Sequence, residues 1–148
     1  MSASYSITPL KKNTVEWLGS VGLEVPPHIA MGRLPTLKEI RIVLRDLKGY
    51  SIDETNKNDD LFITISDGAE PDKGLWTLMI VRKEDEKVLN VGHEIYFERG
   101  WVELILEITA KLSSYCGSLV LIPSSGKPPV LVTEDIDIEA VLKNWQQE

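Results

Sequence analysis

The chain is 148 residues long, 43% apolar and 26% charged, with sixteen basic residues against twenty-three acidic ones and a net charge of −7. That length can bury a core without disulfide or metal support, and the composition is globular rather than disordered. No run or stripe of Lys and Arg stands out to neutralise phosphates, so the acidic balance argues against nucleic acid and admits a protein partner, a basic one by charge.

In chain order, the first third reads as helical in outline. Pro9 suits a first helical turn, and Leu10, Val15, Trp17 and Leu18 give a ragged stripe over residues 8–20 before Gly19 and Gly22 interrupt it. Residues 24–35 hold three prolines and are expected to form a looping connection, which makes residues 1–35 a candidate loosely packed extension of a single α+β domain spanning 1–148. A cleaner helix starts at Thr36, where T-L-K-E supplies a capping box with Glu39. Leu37, Ile40, Leu44 and Leu47 form its buried stripe, Lys38, Arg41, Arg45 and Lys48 lie on other faces, and Gly49 ends it. The polar run 53–60 reads as a surface loop.

Strands dominate the middle. Alternation in 61–66, an exposed acidic turn, an apolar run at 75–81 and a segment at 88–98 with Gly92 as a candidate bulge give three strands. Residues 101–115 then form an amphipathic helix on which Trp101, Leu104, Ile105, Ile108, Leu112 and Tyr115 share one side, with Glu107 and Lys111 at i,i+4. Gly117 stops it, and 118–122 reads as an interior strand pairing with a strand at 129–133 beyond a turn. A short C-terminal helix follows, capped by Asp137 and burying Ile138, Val141, Leu142 and Trp145. The fold class is therefore α+β: a largely antiparallel sheet of about five strands against a central amphipathic helix.

The chemistry-bearing residues are few. Cys116 is the single thiol, which excludes an internal disulfide and a thiolate zinc cluster. It falls at a helix C-terminus, where the dipole disfavours a thiolate, so it reads as buried and unreactive. His93 and Tyr96 mark a candidate pocket, although strand alternation separates His93 from Glu94. The Gly126-Lys127 pair lacks the spacing of a phosphate loop, and 56–67 lacks the glycine and glutamate of a calcium loop. Neither a metal nor a cofactor is implied.

The leading functional reading is a non-enzymatic protein-binding module, in one form an immunity or antitoxin-like protein that masks a partner. Its candidate partner-binding residues are Trp76 and the acidic turn residues Asp67, Glu70 and Asp72. Val102 and Leu106, which widen the apolar stripe of the central helix, are candidates for a partner or homodimer seam. The element order also resembles that of the dimeric chaperones that hold secretion effectors, a resemblance of fold alone. The third reading is an enzyme or small-ligand binder with a pocket near His93. No stretch reaches the ~20 apolar residues of a spanning helix and no leader pattern is visible, so a cytoplasmic location and no membrane partner are expected.

Overall fold

Strand LVLIP is apolar at every position, a pattern that fits a strand covered on both faces. The computed structural model describes residues 4–57, 60–67, 75–79, 95–100 and 102–146. In chain order these form β1 (Tyr5–Pro9), α1 (Lys12–Ser20), α2 (Leu37–Arg45), β2 (Tyr50–Lys57), β3 (Asp60–Asp67), β4 (Leu75–Met79), β5 (Ile95–Gly100), α3 (Val102–Cys116), β6 (Leu119–Pro123), β7 (Val130–Val132) and α4 (Ile138–Gln146). The fold is α+β, and its seven strands form one sheet in the order β2-β3-β4-β5-β1-β6-β7, every pairing antiparallel.

Among the described residues seven strands stand where five were expected, because two were hidden in polar or proline-containing sequence. Tyr5–Pro9 is a strand rather than the approach to a helix. Tyr5 and Ile7 alternate into the core, and the segment pairs with β5 on one side and β6 on the other. Pro9 closes this strand opposite Leu119, and the helix begins only at Lys12. Tyr50–Lys57 forms the edge strand β2, whose polar residues suit a strand with one solvated face.

The described amino-terminal residues are not a loose extension. Besides β1 at the sheet's interior, Leu10 and Leu18 are fully buried with Val120 in a small second core. The 31–33 segment crosses the end of α3 backbone to backbone: Gly32 N donates to Leu10 O at 2.9 Å and Arg33 N donates to Cys116 O at 2.8 Å. A Cβ on Gly32 would collide with the Ser118 carbonyl, and one on Gly117, at φ +84°, would collide with that of Met31. Two glycines make this crossing possible.

The register sorts side chains onto two faces. Ile52, Ile63, Ile65, Phe97, Tyr5, Ile7, Leu119 and Leu121 belong to the main core, where α2, α3 and α4 also contribute. The α3 helix touches α2, α4, β5, β6 and β7, so Leu104, Ile105, Leu106, Ile108 and Leu112 are all enclosed. Its buried hydroxyls are satisfied locally: Thr109 Oγ1 donates to Ile105 O at 2.7 Å and Ser113 Oγ to Ala110 O at 2.6 Å. The α4 helix is capped by Asp137, whose Oδ1 accepts from Ala140 N at 3.1 Å, and it inserts Trp145 against Tyr5 with ring centroids 6.2 Å apart. On the opposite face, α1 and residues 23–29 cover only the end of the sheet around Val120, Ile122 and Leu131.

Candidate functional site

The α2 amino terminus is built as its sequence requires. Thr36 Oγ1 accepts from Glu39 N at 3.2 Å, and Glu39 Oε1 accepts from Thr36 N at 2.9 Å. Glu39 is also gripped by Arg33 through two hydrogen bonds of 2.7 Å. The same guanidinium donates to Tyr115 O at 3.2 Å, so Arg33 satisfies carbonyls at the end of α3 while fixing the start of α2. These residues line a cleft of about 630 Å³ together with Lys11, Lys38, Ile42 and Tyr115.

Three groups in and beside this cleft, Arg33, Glu39 and Cys116, are moved away from neutrality. The Arg33 hydrogen bonds hold the Glu39 carboxyl at about 2, and Glu39 in turn raises the Arg33 value. Burial, reinforced by the Glu39 charge, pushes the Cys116 thiol up to about 11, and its Sγ donates to Leu112 O at 3.1 Å. A carboxylate held ionised by the guanidinium, beside a buried thiol, makes a clamp between the start of α2 and the end of α3.

The structure corrects the expectation that no basic stripe exists. Helix α2 places Lys38, Arg41 and Arg45 at i, i+3 and i+7, all exposed, and Lys48 follows in the turn. From Arg33 to Lys48 there are five basic residues and two acidic ones, in a chain whose total is −7. Arg41 spans to the edge strand and holds Glu54, with Nη2 to Oε1 at 2.9 Å. Beneath it, a groove of about 350 Å³ between α2 and β2 has an apolar floor of Leu44, Leu47, Tyr50 and Ile52 and a rim of Arg41, Arg45 and Glu54. Arg45 makes no ion pair among the described residues.

The outer face of β2 to β5 is the other distinctive surface. Among the described residues no helix covers it. Ser51, Asp53 and Thr55 are exposed there, Phe62 and Thr64 are half-buried, and Tyr96 leaves 43% of its surface exposed while its hydroxyl lies 3.2 Å from Ser4 Oγ. One register row runs Thr55, Phe62, Leu78, Tyr96 and Ser6, and in the next Trp76 stands opposite Thr64.

The sequence candidates therefore divide. Trp76 and Tyr96, which the sequence reading assigned to different sites, occupy neighbouring strands of one sheet. Asp67 ends β3 opposite Tyr50, at the other end of the β2–β3 pair from Lys57 and Asp60. Leu106 has no exposed surface and Val102 is half-buried against the main core, so a seam through Leu106 has nothing to offer a partner. Glu70, Asp72 and His93 lie outside the described residues. Of the motif-like segments, Gly126 and Lys127 form a turn whose ammonium sits 5.8 Å from the Trp145 ring centre, while Asn56 and Asp60 belong to paired strands. Arg33, Glu39 and the α2 stripe went unread as a site, although the i, i+3, i+7 spacing of the cations was visible in the sequence.

No protein family, no curated protein and no solved structure matches the chain.

Proposed function

We propose that the chain is a non-enzymatic, cytoplasmic protein-binding module that docks a basic protein on the outer face of β2 to β5. The observation that carries this reading is the face that no described helix covers, with Tyr96 43% exposed beside half-buried Phe62. A tyrosine supplies apolar area and a polar tip at little conformational cost, a combination favoured at the centre of interfaces. Exposed Asp53 on the same face, in a chain of net charge −7, favours a partner of opposite sign. The clamped Glu39 and protonated Cys116 support a binding rather than a catalytic role for the neighbouring cleft. In this reading the module masks or regulates its partner, as an immunity protein or an antitoxin does.

The test is affinity capture from the native host with the wild-type chain and Tyr96→Arg, followed by mass spectrometry and stoichiometry. A single stoichiometric basic protein that Tyr96→Arg fails to retain supports the reading. Equal capture by both chains, or no stoichiometric partner, removes it.

A further inference from the structure

The groove between α2 and β2 lies on the helical side of the sheet, away from Tyr96, and it combines three features. The first is a sheet edge that no described strand covers. In the strand order β2 is terminal, and among the described residues β3 is its one strand neighbour. Alternate backbone N–H and C=O groups of such a strand point outward, a ready template for another extended chain. The second is the groove floor beside that edge, made of Leu44, Leu47 and Ile52. The third is charge: Arg41 and Arg45 stand on the groove's rim, with exposed Lys38 and Lys48 beyond.

We propose that β2 and this groove form a docking site for an extended acidic peptide segment, which adds to the sheet as an eighth strand. Backbone hydrogen bonds to β2 supply the sequence-independent part of the affinity, and alternate side chains supply the specificity. Positions opposite Ile52 and Glu54 face the groove, because Ile52 and Glu54 themselves line it. An apolar residue there seats against Leu44 and Leu47. A carboxylate two residues away reaches Arg45, and Arg41 can share its charge between Glu54 and the incoming acid. Positions opposite Ser51, Asp53 and Thr55 face the other side and take hydroxyl or basic residues, since Asp53 repels an acid placed against it. The interleaved Glu39, Asp46 and Glu54 carboxylates disfavour a continuous polyanion such as nucleic acid. A segment with discrete, spaced carboxylates avoids them.

The probe is a synthetic peptide whose alternate residues are threonine, with valine and glutamate taking turns between them; its counterpart carries lysine for glutamate. Both are titrated into the full chain while backbone amide exchange is followed across residues 50–57. The expected result is protection of β2 amides by the glutamate peptide, at least about tenfold weaker binding of the lysine peptide, which corresponds to about 1.4 kcal/mol, and reversal of that preference in Arg45→Glu. Because Arg45 is exposed, this variant is expected to keep the wild-type unfolding midpoint, and Arg45→Lys to keep the preference. Absence of β2 protection at the highest soluble peptide concentration overturns the proposal. So does equal binding of the two peptides, or a chain that light scattering shows to be dimeric with its β2 edge already protected.

Discussion

Arg33 and Glu39 meet through two parallel hydrogen bonds of 2.7 Å, and the pair ties the start of α2 to the end of α3. Arg33 is 51% exposed and Glu39 14%, so solvent screens the Coulomb part, while the hydrogen bonds and the capping box keep theirs. The Glu39 carboxyl is held at about 2 in the fold against 4.5 ordinarily. A depressed carboxyl stabilises the folded state fully above pH 4.5, and that contribution is lost as pH falls towards 2. Urea unfolding should therefore show Glu39→Gln to be roughly 1–2 kcal/mol less stable than wild type at pH 7, from the lost charge-assisted hydrogen bonds to Arg33, since a glutamine can still complete the cap. The gap should narrow at pH 3. A constant gap across that range would separate stability from the Glu39 charge.

The backbone crossing at Gly32 predicts a large effect from a small substitution. Gly32→Ala places a methyl against the Ser118 carbonyl, and backbone cannot swing aside as a side chain can. Thermal unfolding should show a loss of roughly 1–3 kcal/mol or failure to fold. Gly19→Ala, where a Cβ meets nothing within 4 Å and the residue lies in α1, should be neutral or mildly stabilising.

Leu106 is enclosed, so its truncation is a stability experiment. Leu106→Ala should cost roughly 2–5 kcal/mol in chemical unfolding with no change in the molecular mass measured by light scattering. A stable variant that shifted from dimer to monomer would restore the seam reading.

The Cys116 thiol, pushed up to about 11 by burial, should resist alkylation at pH 8 in the folded chain and react promptly once urea unfolds it. Fast native modification would place the thiol at the surface.

The elements legible in the sequence were those whose pattern spans several turns or a complete signal. The T-L-K-E cap of α2, the helix α3 stopped by Gly117, the apolar β6 and the Asp137-capped α4 all appear in the fold, but the α3 stripe does not hold as read, since Tyr115 is exposed and Leu106, Thr109 and Ser113 are buried. The two missed strands carry weak period-two signals: β1 offers only Tyr5 and Ile7 before a proline, and β2 only Tyr50 and Ile52 before a polar run. The strand partners of β1 lie 90 to 118 residues away, which no local window contains. The sites were less legible still. Arg33, Glu39 and Tyr115 meet only through the crossing of residues 31–33 with the end of α3, and the outer face exists only once register puts Phe62 and Tyr96 in one row with Leu78.

The most direct measurement is an equilibrium titration of the captured basic partner against the wild-type chain, Tyr96→Arg, Tyr96→Phe and Arg45→Glu, each first checked for an unchanged unfolding midpoint. Outer-face docking predicts a loss of at least about tenfold, or about 1.4 kcal/mol, for Tyr96→Arg, a small change for Tyr96→Phe, and near wild-type affinity for Arg45→Glu. Unchanged affinity in a folded Tyr96→Arg chain would contradict the outer-face assignment.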